Sequence, residues 1–203
     1  PDIILKTSEG AILNLQTSDT TVAADGVLGA INFQAPDEAS GTDSILIASK
    51  IEAVAEGTFS ASSNATSLVF STASSAAAGT VSGKMTFTSG GNLIIKDTDT
   101  ADGSSPTVTL QSGDTDIAAN DILGSINFQA PDEGTGTDAI LVAAGIEAVS
   151  EGDFSSSSNA TKLSFKTGAS ETAAEKMALS SAGNLTVAGT FTPTGAITAN
   201  AGV

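Results

Sequence analysis

Apolar and polar residues alternate in short runs along most of this chain. Ile31, Phe33 and Ala35 alternate with Asn32 and Gln34, Leu68 and Phe70 with Val69 and Ser71, and Met85 and Phe87 with Lys84 and Thr86. A two-residue period sends successive side chains to opposite sides of an extended segment. Runs bounded by Gly, Pro, Asp and Ser predict half-buried β-strands of about four to eight residues. The abundance of Thr suits extended backbone.

The pattern occurs twice. Leu28–Thr72 is repeated as Leu123–Thr167 at a constant offset of 95, and about two-thirds of the aligned positions from Leu15 to Thr72 are identical. The copies meet again at an offset of 92: Lys84-Met85 matches Lys176-Met177, and Gly91-Asn92-Leu93 matches Gly183-Asn184-Leu185. The second copy has therefore lost three residues within an Ala/Ser/Gly stretch, 73–83 in the first copy. A deletion of that kind belongs on a surface connection rather than in a strand ladder.

Segment 44–56 is two-sided: Ile47, Ile51 and Val54 have helical spacing, whereas Ile45, Ile47, Ile51 and Ala53 share one strand face. Gly145 in place of Lys50 in the second copy favours the strand, because glycine weakens a helix interior.

These features predict an all-β chain of two tandem homologous β domains. The expected divisions are 1–14, the end of a shaft-like β segment; 15–95, the first repeat; 96–109, an Asp/Ser/Gly/Pro-rich linker; 110–187, the second repeat; and 188–203, the start of another shaft-like segment. In 183–203 short apolar residues punctuated by Gly suit a narrow, tightly wound β structure. The chain opens on Pro1 rather than Met and reads as a piece of a longer polypeptide.

Composition narrows the function. Acidic residues number 23 against 7 basic ones, every basic residue is Lys, and the net charge is −16. Such a surface repels phosphate backbones and anionic lipid heads, so neither nucleic acid nor an ordinary membrane is an expected partner. His, Cys, Arg, Trp and Tyr are all missing. Without them the chain lacks the usual neutral-pH base, thiolates and common zinc ligands, bidentate arginine forks and the best stacking platforms. The expectation is a protein that is not an enzyme, with no catalytic, cofactor-binding or metal-binding residues and no cofactor. Leu, Ile, Val and Phe make up a little under a quarter of the chain. So few large apolar groups give a lone copy a thin core, which association with other copies would thicken. Tandem copying also suits a spacer or a multivalent surface better than a catalytic site.

Several clusters carry groups capable of chemistry. Asp37-Glu38 and Asp132-Glu133 are paired carboxylates, but adjacent residues after proline read as turns; glycoside hydrolysis needs two carboxylates across a cleft. Asp97, Asp99 and Asp102 before Gly103 resemble a calcium loop, yet Ala101 occupies the fifth position and no Glu closes the loop. Glu52/Glu56 and Glu147/Glu151 read as an exposed acidic edge that discourages sheet-to-sheet aggregation, with a metal site shared between chains as the alternative. Asn64-Ala65-Thr66 and Asn159-Ala160-Thr161 match glycosylation acceptors and read as Asx-type turns. The pairs Phe33/Phe128, Phe59/Phe154 and Phe70/Phe165 read as core anchors.

The order of blocks resembles the shaft or stalk repeats of tail fibres from tailed, marine-type bacteriophages. The matching residues are Leu28–Glu38 and Leu123–Glu133, the Ile51–Gly57 and Ile146–Gly152 blocks, Leu68–Thr72 with Leu163–Thr167, and Lys84-Met85 through Leu93 with Lys176-Met177 through Leu185. The resemblance spans nearly the whole chain. It departs at Thr86-Phe87 and Ala178-Leu179, where many such fibres carry a KMRI-type run. No aromatic tip or self-cleaving chaperone is carried over. The resemblance implies a parallel, intertwined homotrimer with β-helical or β-prism shaft segments. It further implies a virion component, extracellular, that spaces and orients a host-receptor-binding tip. Implied partners are other copies of itself, other tail or fibre proteins and a host receptor. The competing classes are a glycan- or protein-binding module acting by avidity, a bacterial surface filament or adhesin stalk, and an acidic β-helical depolymerase.

Overall fold

The computed structural model describes residues 4, 10–35, 45–73, 82–131 and 137–197. The chain divides into two compact units, Pro1–Thr107 and Val108–Val203. Each is built on one five-stranded antiparallel sheet whose strands lie in sequence order. In the first unit these are β1 (Val27–Gln34), β2 (Ile47–Ala55), β3 (Thr66–Thr72), β4 (Ser82–Phe87) and β5 (Leu93–Ile95). In the second they are β6 (Ile122–Gln129), β7 (Val142–Ser150), β8 (Thr161–Thr167), β9 (Ala174–Leu179) and β10 (Leu185–Val187). A 3₁₀ turn, Asp138–Ile140, precedes β7. No helix among the described residues is long and apolar enough to cross a membrane.

The two-sided segment contains strand β2, whose interior position gives every residue from Ser49 to Val54 a ladder partner on both β1 and β3. Both sheets interrupt their ladders at matching places: β1–β2 between Val27 and Gly29 and between Phe33 and Gln34, β3–β4 between Phe70 and Ser71, and the equivalents at Ile122/Gly124, Phe128/Gln129 and Phe165/Lys166. Such bulges re-aim the side chains on either side of them. The β3–β4 connection, 73–81, is nine residues long and its counterpart 168–173 is six, so the deletion falls between strands.

The last hairpin shows why one glycine of a pair is kept. Gly91 and Gly183 sit at φ 78° and 80° and close their turns through N–H bonds to the carbonyls of Thr88 and Ser180. A left-handed residue there favours glycine. The preceding position has no such demand and is Gly90 in one copy and Ala182 in the other.

Among the described residues, 10–14 and 188–197 contain no strand, and only Leu185–Val187 of the closing stretch joins a ladder. Gly189, at φ 146°, leaves the extended region. The remainder of both ends lies outside the described residues.

Candidate functional site

Alternation gives each sheet two unlike faces. Across the first sheet, ladder pairing aligns Ile31, Ile51, Phe70, Met85 and Ile95 in one row and Gly29, Ala53, Leu68, Phe87 and Leu93 in the next. In the second sheet the rows are Ile126, Ile146, Phe165, Met177 and Val187, then Gly124, Ala148, Leu163, Leu179 and Leu185. No charged residue occupies either row. The opposite faces carry Lys50 and Glu52, or Glu147, Lys162, Lys166 and Glu175.

The apolar face is the exposed one. Ile31, Leu68, Phe87 and Leu93 are 42–51% exposed, and Ile126, Leu163, Leu179 and Leu185 are 40–58% exposed. Among the described residues the buried apolar side chains are Ala55, Val149, Ala173 and Ala178. None is larger than valine, and the largest fully buried side chains are serines. A sheet with one apolar face normally buries that face against a second layer. Here Phe70 and Phe87 meet edge to face, with ring centroids 6.3 Å apart, and Phe87 stays 43% exposed.

A strap from the segment before each sheet covers one corner of this face. A Cβ on Gly29 would stand 2.7 Å from the Leu15 Cβ, and one on Gly124 2.7 Å from the Leu110 Cβ. Both glycines are thus required for close approach. Beside the first strap, Leu13, Leu15, Ile31, Ile51 and Leu68 line a shallow groove of about 270 Å³. The strap is pinned further along by the Phe59 and Phe154 N–H groups, which donate to the carbonyls of Val22 and Ile117 at 2.9 Å.

On the polar faces, Glu52 and Glu147 are nearly buried on the second and fourth positions of their sheet orders. They are not an exposed edge, because neighbouring strands flank them on both sides. Each meets one ammonium: Lys50 at 2.7 Å from Glu52, and Lys166 at 2.8 Å from Glu147. Glu56 and Glu151 serve another purpose. They leave the strand and reach the tip of the last hairpin, where they accept the N–H of Ser89 and of Ser181 at 2.9 Å. Hydrogen bonds from the Ser67 hydroxyl, then from the Ser89 hydroxyl and amide, hold the Glu56 carboxyl below its usual value. The Ser181 hydroxyl and amide, aided by Lys162, do the same for Glu151. Lys162, 2.7 Å away, and the Ser164 hydroxyl lower Glu175 likewise. The two glutamates of each IEAV block therefore diverge, and no cluster of three or more metal-ligating side chains exists among the described residues.

Other candidates resolve into local structure. Asp97 accepts the Asp99 N–H and Asp99 the Ala101 N–H, both at 2.9 Å, so these carboxylates are engaged in successive turns. At the Asn-Ala-Thr sites the bond is donated by the Thr66 and Thr161 hydroxyls to the main-chain oxygens of Asn64 and Asn159, at 2.8 and 2.9 Å. These are threonine-closed turns rather than the expected Asx turns. Phe33 and Phe128 are 51% and 55% exposed on the outermost strands β1 and β6, so they are not core anchors of a single chain. Phe70 and Phe165 are half-buried at the centre of the apolar faces. Asp37-Glu38 and Asp132-Glu133 lie outside the described residues. Alternation gave the membership of each face in advance. The sequence carries no mark of the glutamate clasps, which join positions some thirty residues apart.

No protein-family model and no curated protein matches the chain. Two solved structures overlap with it. One is the carboxy-terminal domain of the bacteriophage T5 L-shaped tail fibre with its intra-molecular chaperone domain: TM-score 0.43, 11% identity, 100% of this chain and 69% of that one. The other is the carboxy-terminal domain of the same T5 fibre: TM-score 0.41, 12% identity, 91% of this chain and 88% of that one.

Proposed function

We propose that the chain is a structural segment of a phage tail fibre, an extracellular part of the virion that spaces and orients a host-receptor-binding tip. It works as a parallel homotrimer, without a catalytic step. The observation that supports this reading is the missing interior: large apolar side chains stay exposed in both units, while among the described residues the buried apolar side chains are three alanines and one valine. A structure of this kind is completed by other copies, and repetition of one unit extends it. The tail-fibre resemblance of the Leu28–Glu38, Ile51–Gly57 and Lys84–Leu93 blocks supplies the identity of the fibre. A bacterial surface filament would obey the same physics.

The test is the mass of the native species by light scattering or native mass spectrometry. Three chains are expected. A stable monomer at micromolar concentration overturns the proposal.

One observation favours a second reading, a glycan- or protein-binding module. Exposed Phe33 lies between Asn32 and Gln34, and exposed Phe128 between Asn127 and Gln129, at the same place in both units. Binding on a glycan array, abolished by the double change Phe33→Ala and Phe128→Ala with the assembled mass unchanged, would select it.

A further inference from the structure

We infer that the Asp102-Gly103 step is a self-modification site, at which the chain converts its own aspartate to isoaspartate without an enzyme. The chemistry is independent of the assembly proposed above. It falls between β5 and β6, outside both ladders, so it alters the connection and not a sheet.

Two Asp-Gly steps occur in the sequence, Asp25-Gly26 and Asp102-Gly103. Such a step is reactive because glycine lacks the Cβ that would shield its nitrogen from the preceding carboxyl and restrict its rotation. The Gly103 nitrogen attacks Cγ of the protonated Asp102 carboxyl. An N–Cγ bond forms, the Cγ–OH bond breaks, and the hydroxyl leaves with the amide proton as water. Water then adds to the Asp102 main-chain carbonyl carbon of this cyclic imide. The bond from that carbon to the Gly103 nitrogen breaks, and the nitrogen regains its proton. The water lost is recovered, so the mass is unchanged. The main chain now runs through Cβ and Cγ and is longer by a single carbon.

The fold treats the two steps differently. At the first, the Asp25 N–H donates to the Ala55 carbonyl at 2.9 Å and the Gly26 N–H to the Ala23 carbonyl at 3.1 Å, while the Gly26 carbonyl accepts the Ala55 N–H at 2.9 Å. Space is closed as well, since a Cβ on Gly26 would stand 3.0 Å from the Ala23 oxygen. Attack must swing the Gly26 nitrogen towards the Asp25 carboxyl and so break these bonds. Three bonds of ordinary strength hold the opened form to on the order of one part in a hundred.

At the second step, Asp102 and Gly103 are both exposed, and the Gly103 N–H donates to no main-chain carbonyl among the described residues. A Cβ on Gly103 would meet no atom within 4 Å. The turn is closed from outside the reacting pair, by the Ser104 N–H to the Ala101 carbonyl at 3.2 Å. Gly103 sits at φ 88°, which keeps glycine, and with it the unshielded nitrogen, at this position.

Cleavage at lysine places the two steps in different peptides, 7–50 and 97–162. The full chain would be held in warm neutral buffer, native and in guanidinium, then cleaved, with isoaspartate located by electron-transfer fragmentation. In the native chain it should accumulate at residue 102 at least about tenfold faster than at residue 25, as the bonds at Gly26 require. In guanidinium, where those bonds are gone, the two positions should convert at similar rates. Equal rates in the native chain overturn the inference. So does a native residue 102 that stays intact while the unfolded chain converts there. Asp102→Asn supplies a second measurement. It reaches the same imide by losing ammonia, the better leaving group in neutral solution, and should convert at residue 102 faster than the unmodified chain. An Asp102→Asn chain that converts no faster overturns the inference as well.

Discussion

On the polar face of the first sheet, Lys50 and Glu52 lie two residues apart on β2, and Ser71 stands directly across the ladder from Lys50. In the second sheet Gly145 replaces that lysine, and Lys166 stands across the ladder where Ser71 was. The ammonium has moved to the facing strand, yet it still reaches the same glutamate, at 2.8 Å. The space left by the lysine is taken by Asn127, whose Oδ1 would lie 2.9 Å from a Cβ on Gly145. The apolar faces behave differently: eight of the ten row positions hold the same residue in both units, and the two changes, Phe87 to Leu179 and Ile95 to Val187, stay apolar. The polar face therefore needs only charge balance, which any nearby strand can supply. The apolar face needs particular shapes, which fits a surface that must match another.

The sharpest way to break this comparison is to remove the cation. Lys166→Ala leaves Glu147 nearly buried and unpaired, and should cost about 3 kcal/mol. Lys50→Ala should do the same to Glu52. The double change Lys50→Gly with Ser71→Lys copies the second unit's arrangement and should recover most of that loss. Urea unfolding of the three variants checks it, and failure of the double change to recover stability would show that strand position matters as well as charge.

Next in size, Gly29→Ala and Gly124→Ala should each destabilise by roughly 2 kcal/mol, since a Cβ there meets the strap leucine. Equal losses in the thermal midpoint of both variants would confirm that the strap is built alike in the two units.

Ser71 offers a smaller effect of opposite sign. Its hydroxyl is buried without a partner among the described residues, a burden the second unit escapes by having Lys166 there. Ser71→Ala should raise stability by about 1 kcal/mol, whereas Ser164→Ala at a buried but partnered serine should not.

The weakest perturbation is acid. Glu56 and Glu151 have folded-state pKa values below the unfolded one. Their contribution is therefore fully present above the ordinary carboxylate range, and is lost as pH falls through the lowered folded-state values. Amide exchange at Ser89 and Ser181, corrected for intrinsic rates, should show protection at neutral pH that fades in acid. Glu56→Gln and Glu151→Gln should flatten that pH dependence.

Much of this was legible in the residues themselves. The alternation of Ile31 with Asn32 and Leu68 with Val69 named both strands and faces, because a two-residue period is a local property of extended backbone. The three-residue deletion marked a connection for an equally local reason. The phenylalanines misled: hydrophobicity marks a side chain that seeks cover without saying whether its own chain supplies it. Phe33 thus reads as core yet stands exposed on β1. Glu52 misled in the opposite sense, since its burial depends on being flanked by β1 and β3.

By itself, the sequence determined the all-β character, the doubling of the unit, the two faces and the scarcity of large apolar groups. These follow from period, repetition and composition, which need no knowledge of what lies across the ladder. Only the tertiary structure decided the strand order, the lysine that neutralises each buried glutamate, the clasp from Glu56 to Ser89, and the exposure of Leu68 and Phe87. Those depend on contacts between residues distant along the chain, and a linear pattern carries no record of which distant strand a side chain will face.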